Sequence, residues 1–355
     1  MNADALSALP TPALVLDHSA FERNLREMAN ARPGRTLRPH VKAHKCTAIA
    51  RAQAAVGHAS FTCATPREAV GIARAGIGDD VLLANECLDP ARLADMARAE
   101  RDTGVIITVA VDSALTVERA AEAGITNVLV DVNVGLPRCG CAPHDARTLA
   151  TLAVSRGLRV RGVMGYEGHL MTAPEADKPT KVRACMATLV DAFDSLVDVG
   201  GDDCTIISAG GTGTYHVFGV DDPVLRRVNE VQAGSYALMD TSYGAQPLPF
   251  EPALWVVGTV ISTNARGSWA VIDVGLKSLG MDHGNPAITG STVWFCSDEH
   301  TTFSPDDGPL PELGRRVLVR PAHIDPTVAM HEAIHVVSEL GQPVREVWPV
   351  DLRGW

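Results

Sequence analysis

Residues 61–84, FTCATPREAVGIARAGIGDDVLLA, contain the change of period on which the fold turns. The short β-rich run FTC gives way to PREAVGIARAG, an amphipathic stretch that opens on Pro66 and stops at Gly76, and a Gly-Asp-Asp turn leads into a second apolar run. An apolar run, a capped helical pattern and another apolar run make one βαβ unit. The rhythm returns at 105–132, VIITVAVDSALTVERAAEAGITNVLVDV, where Ser113 starts the helix and Gly124 stops it. Working outward, candidate strands fall at 36–41, 61–63, 81–84, 105–111, 127–132, 159–165, 205–208 and 230–238. Helical patterns lie between them, and one more, at 20–31, precedes the first. Eight strands alternating with eight helices predict an α/β fold, a parallel (β/α)8 TIM-type barrel over residues 20–245, with a doubly wound sheet as the competing architecture.

After residue 246 the texture changes. ALWVVGTVIST, SWAVIDVG, STVWFCSD, RRVLVRP and IHVVSEL read as strands separated by Gly-, Pro- and Asn-rich turns, with no convincing helix. They predict a C-terminal, mainly antiparallel β domain over 246–355. The apolar TPALVLD near the N-terminus is spare to the barrel and is expected, within residues 1–19, to pair with that domain.

Composition bounds the partners. The chain has 355 residues, 46% hydrophobic and 21% charged, enough for two domains with substantial cores. A net charge of −11 with no basic run argues against nucleic acid or an anionic membrane as a partner, so a small-molecule substrate becomes the default. No apolar run reaches the roughly 18 residues of a membrane helix. The N-terminus lacks a basic segment followed by an apolar one, so a cytoplasmic location is expected. The 8 cysteines show no paired CxxC spacing and read as reduced thiols.

In a parallel barrel, reactive groups collect at the C-terminal ends of the strands. There the sequence places RPHVKAHK with Lys42, NVGLPRCG with Arg138, YEGH with Tyr166 and His169, AGGTGTYH, and GSYALMD. Each alone is an ordinary loop; five at one rim make a candidate site. Gly211, Thr212 and Gly213 bring backbone N–H groups and a hydroxyl without bulk, which suits a phosphate after the seventh strand. The spacing is neither GxGxxG nor a Walker loop, which removes support for NAD and ATP. A barrel-mouth lysine beside a phosphate cradle implies pyridoxal 5'-phosphate held as a Schiff base.

In the β domain, His323 and Asp325 lie two apart. On an extended strand they share a face and could share Mn²⁺, Mg²⁺ or Zn²⁺. His331, Glu332 and His335 spell His-Glu-x-x-His, but IHVVSEL is β-branched. On a strand the two histidines would lie roughly 13 Å apart, which excludes one shared zinc ion.

RPHVKAHK, NVGLPRCG, YEGH, AGGTGTY and PAHIDPT follow one another as in the D-threonine aldolase and D-serine dehydratase-like group of fold-type III pyridoxal phosphate enzymes, relatives of alanine racemase. The chain resembles that family from TPALVLD to WPVDLRGW. The resemblance implies that Lys42 carries the cofactor, that Gly211, Thr212 and Gly213, with Tyr236, hold its phosphate, and that Arg138 and Tyr166 lie against its ring. It also implies a divalent metal on His323 and Asp325, and a homodimer. Aspartate as the second metal residue is similar to the aldolases, whereas the dehydratases usually carry cysteine. The implied activity is cleavage of D-3-hydroxy-α-amino acids such as D-threonine to glycine and an aldehyde, with His169 the candidate base. The alternatives are a D-serine or 3-hydroxyaspartate dehydratase, an amino-acid racemase and a non-catalytic pyridoxal-phosphate protein. The last typically lacks the whole β domain.

Overall fold

Strand β1 (Ala13–Asp17) is followed by seven strands whose residues are almost all buried: β2 (Ser60–Cys63), β3 (Asp80–Leu83), β4 (Ile106–Val111), β5 (Asn127–Asp131), β6 (Arg159–Met164), β7 (Ile206–Ala209) and β8 (Glu230–Val231). Strands β2 to β8 pair in parallel in sequence order. Parallel neighbours need a crossover, and the helices Pro66–Arg74, Pro90–Thr103, Ala114–Glu122, Ala146–Ser155 and Lys178–Gly200 supply it. Their ends follow from the caps. Asp89 accepts from the N–H groups of Ala91 and Arg92, and Gly104 closes that helix in the left-handed conformation. Ser113 forms a capping box with Thr116. Ser113→Ala is expected to lower stability by about 1 kcal/mol in denaturant unfolding, with the fold retained.

The ring closes through an irregular first segment. Leu37 bridges Val231 and His40 bridges Thr62, both in parallel, so residues 37–40 join β8 to β2 and supply the eighth stave. The strand expected at 36–41 is therefore shorter than predicted. Gly34–Thr36 and Val41–Ala43 are 3₁₀ turns, and Pro39 has no N–H to give to a ladder. The strand expected at 230–238 likewise ends at Val231 and turns over Ser235–Ala237.

The interior is recognisable from bonds that skip a strand. Arg38, 1% exposed, reaches Asp80 of β3 (Nη1–Oδ1 3.1 Å) and Glu230 of β8 (Nη2–Oε1 2.6 Å), and Arg161 of β6 reaches the same Asp80 (Nη2–Oδ2 2.7 Å). The two bonds to Asp80, from Arg38 over β2 and from Arg161 over β4 and β5, can run only across the barrel. Leu82, Ala110, Leu129, Met164 and Ile206 form an apolar cluster from five consecutive strands.

The second sheet contains β9 (Leu254–Asn264), β10 (Trp269–Ile272), β11 (Ala287–Ile288), β12 (Ser291–Cys296), β13 (Thr301–Pro305), β14 (Arg316–Arg320), β15 (Ala333–Val337) and β16 (Val344–Pro349). The order β10-β13-β12-β11-β14-β9 closes on itself because β10 also pairs with β9. Strand β1 pairs antiparallel with β9 and parallel with β15, so the N-terminal strand does belong to this sheet. One element departs from expectation: Ile324–Ala329 is a short helix, with Pro326 in its first turn where a missing N–H costs nothing.

The structure describes residues 6–219, 221–266 and 268–355. They form two compact units: the N-terminal residues up to Glu27 with Ala43–Ala48 and Ser235–Asp351, and Met28–Lys42 with Ile49–Gly234 and Leu352–Trp355. Residues 20–27 and 235–245, assigned to the barrel from sequence, go with the β unit. All 8 cysteines are free thiols, and no described helix is long and apolar enough to cross a membrane.

Candidate active site

Parallel strands put all their C-terminal ends at one rim of the barrel unit, so the residues that follow each strand are gathered there by topology. Lys42 comes directly after the 37–40 segment, in the turn Val41–Ala43, half-buried, with its N–H 3.4 Å from His40 Nδ1. Arg138 lies in the loop after β5. That loop is folded by Asn133, whose side chain donates to the carbonyls of Leu136 (2.8 Å) and Cys139 (3.3 Å). The Arg138 guanidinium carbon sits 5.2 Å from the centre of the Tyr166 ring, a cation–π contact between the loops after β5 and β6. His169, in the turn Gly168–Leu170, is exposed, and the Gly135 backbone passes close to its imidazole.

After β7 the chain makes a tight turn over residues 210–214, all buried. Gly210 has φ +80, which favours glycine. A Cβ on Gly213 would fall 2.1 Å from the Met171 carbonyl oxygen, so only glycine lets the turn lie on the segment after β6. Thr214 N–H and Tyr215 N–H both return to the Gly211 carbonyl.

Two acids of this rim, Asp131 and Glu167, were not singled out from sequence. Asp131 ends β5, buried; burial and the neighbouring Glu86 carboxyl push its pKa well above the usual carboxylate range, against the pull of Arg138. Glu167 lies between Tyr166 and Gly168, fully buried, and burial pushes its pKa up while hydrogen bonds from Thr214 and Gly210 oppose the shift. The available signal was position, because an acid at a buried strand end of a barrel points to the mouth.

In the β unit, His323 caps the Ile324–Ala329 helix and Asp325 is in its first turn. They do not alternate along a strand as expected, yet the helical turn still brings His323 Nε2 within 3.0 Å of Asp325 Oδ2. The other ring nitrogen, Nδ1, faces Asp282 Oδ2 at 2.7 Å, and the His283 ring stacks on His323 at 3.9 Å. Asp282, His283 and His323 have ligand atoms close enough to hold one cation. Asp240 is buried beneath them and accepts from Ile324 N–H. Lys45, close in sequence to Lys42, donates to the Asp325 carbonyl at 2.8 Å in this unit. Tyr236 is here too, buried with its ring 5.7 Å from Phe250, whereas the other proposed cofactor residues belong to the barrel unit. His335 is on β15 and His331 precedes it, its Nε2 donating to the Ser278 carbonyl at 2.9 Å, so His-Glu-x-x-His lies on no helix.

A parallel barrel with a strand-end lysine and a glycine-rich turn after β7, followed by a β unit, defines the alanine racemase-like class. Residues 16–242 match the family described as "Alanine racemase, N-terminal domain", and residues 253–337 the one described as "Putative serine dehydratase domain". The chain is 35% identical over 370 residues to the D-threonine aldolase of Arthrobacter sp, covering 99% of this chain and 95% of that protein. It is 33% identical over 374 residues to the 3-hydroxy-D-aspartate aldolase of Paracoccus denitrificans (strain Pd 1222), covering 98% and 93%. The crystal structure of D-threonine aldolase from Filomicrobium marinum matches with a TM-score of 0.86 at 34% identity, covering 98% of this chain and 97% of that one. The chain belongs to the D-threonine aldolase and D-serine dehydratase-like family, and is a lyase as those aldolases are.

The donor sets fit the groups this family implies. The barrel rim offers a primary amine on Lys42, a fixed cation on Arg138, and a buried turn of small residues and hydroxyls, which match the carbonyl, ring and phosphate of pyridoxal 5'-phosphate. The His323 nitrogen and Asp325 oxygen, 3.0 Å apart, are a donor pair suited to Mn²⁺, Mg²⁺ or Zn²⁺.

Proposed function

We propose that the chain is a pyridoxal-phosphate- and divalent-metal-dependent aldolase that cleaves D-3-hydroxy-α-amino acids of the D-threonine type to glycine and an aldehyde. The observation that carries this reading is the His323–Asp325 pair. Its second member is a carboxylate, a hard donor suited to a cation that binds an oxygen substrate. In this reading the barrel unit is the cofactor domain and the β unit carries the metal.

Lys42 offers the amine that exchanges with the substrate's amino group, and the buried 210–214 turn, with Gly211, Thr212 and Gly213, binds the phosphate. Tyr236 is included among the phosphate residues. Arg138, held over the Tyr166 ring, keeps a positive charge beside the cofactor ring. Pyridoxal phosphate, when bound, supplies an electron-accepting ring for the charge left at Cα, and the divalent ion supplies a Lewis acid for the substrate's β-hydroxyl. His169, exposed and able to reach solvent, accepts the hydroxyl proton at an imidazole nitrogen and passes it to water.

A dehydratase is the second reading, favoured by the match of residues 253–337 to a serine dehydratase domain. Incubation with D-threonine or D-3-hydroxyaspartate, with and without Mn²⁺, separates the two. Metal-dependent formation of glycine and an aldehyde in equal amounts is expected. Ammonia with an oxo acid and no glycine would move the protein to the dehydratases, and conversion of D- to L-amino acid would make it a racemase.

A further inference from the structure

Glu167 directs both oxygens of its carboxylate at the turn after β7. Oε1 accepts the Thr214 hydroxyl at 2.7 Å and Oε2 accepts the Gly210 N–H at 3.2 Å. The Thr214 hydroxyl in turn accepts the Gly211 N–H at 3.2 Å. One fully buried carboxylate thus ties the first residue of the turn to its last. A carboxylate is a costly group to bury, and an apolar side chain would fill the same volume more cheaply if packing were the only demand. What the carboxylate adds is two acceptors at fixed separation, which a neutral side chain does not reproduce. The turn has little freedom to reshape around a change there, because Gly213 already lies against the Met171 backbone and Gly211 against its sulfur.

We infer that Glu167 is the positioning residue of the phosphate-binding turn. By holding Gly210 and Thr214 it sets the backbone of residues 211–213 for a phosphate monoester, and so determines the preference for pyridoxal phosphate over unphosphorylated pyridoxal. Thr214 donates its hydroxyl hydrogen bond to Glu167 and so braces the residues that meet the ligand. This rests on the reading of residues 211–213 as the phosphate site.

The full-length chain, freed of cofactor, is titrated separately with pyridoxal phosphate and with pyridoxal, following the absorbance of the bound form, for wild type, Glu167→Gln, Thr214→Val and Thr214→Ser. Glu167→Gln sets an amide NH₂ or a single weaker acceptor against two donors. It is expected to weaken pyridoxal phosphate binding roughly 10- to 100-fold while leaving pyridoxal binding unchanged. Thr214→Val should follow it, and Thr214→Ser, which keeps the hydroxyl, should restore the preference. A general loss of structure would weaken both ligands together, and that result, or an unchanged preference, overturns the inference. If Glu167→Gln does not fold, as judged by its thermal unfolding, the two Thr214 variants decide. A wild type that binds both ligands equally would overturn the phosphate reading itself; a preference that survives in the variants overturns only the role of Glu167.

Discussion

Replacing Arg38 with alanine is expected to lower stability by about 3–5 kcal/mol, the usual effect of stripping one partner from a buried ion pair. The guanidinium is 1% exposed and bonds carboxylates from two other strands. Asp80 keeps Arg161 at 2.7 Å, but the acceptor bonds of Glu230 to Arg38 are lost and its charge is left inside the barrel. The measurement is urea unfolding, where the midpoint should fall with little change in slope. Joint replacement by Arg38→Met and Glu230→Gln should recover much of the loss, since Asp80 keeps Arg161 and no unpaired charge then remains. The pH dependence has a definite sign. Burial works against the Asp80 charge, but the Arg38 and Arg161 guanidiniums overcome it and hold this carboxyl well below the usual range. A depressed folded pKa stabilises fully above the unfolded value of about 3.9 and less as pH falls through the folded one. The gap between wild type and Arg38→Ala should therefore be full at neutral pH and narrow only in strong acid.

Lys42→Ala is expected to abolish turnover, by about 10⁴-fold or more, and with it the covalent retention of cofactor. Borohydride treatment of the loaded wild type should leave cofactor mass on the peptide that contains Lys42, and none on the variant. Lys42→Arg should behave the same way, because a guanidinium stays protonated and is no nucleophile. Lys45 is the nearest lysine in sequence that could compensate. Its ammonium is engaged with the Asp325 carbonyl, and it belongs to the β unit. Cofactor mass found on any other lysine in the wild type would overturn the assignment of Lys42.

The barrel was legible where local rules act alone. Periodicity and caps located β2 to β7 and the helices between them, because a strand buried on both faces must be apolar and a crossover helix must be amphipathic. The legible pattern failed at residues 36–41 and 230–238, where Pro39 and the Ser235–Ala237 turn break the ladder while the apolar run continues. The helix at Ile324–Ala329 was hidden because a six-residue helix beginning Ile-Asp-Pro carries less than two turns of period. Among the site residues, Lys42 and the glycine turn could be read because their chemistry is local. Glu167 stood inside a quoted motif yet had no visible role, since its partners are 43 and 47 residues away. Arg38 was equally opaque, its carboxylates lying 42 and 192 positions further on.

The place of β1 bears on how the chain is made. Val15 faces Trp255 on one side and His335 on the other, so β1 leaves the ribosome 240 and 320 residues ahead of its two partners. At roughly 5–20 residues per second of synthesis, β1 waits on the order of 10 to 60 s with both edges bare. The barrel strands emerge within that interval and need nothing from β1, while the β unit can complete its sheet only after β15 is out. An apolar strand that waits with two open edges is a target for misplaced pairing in the nascent chain.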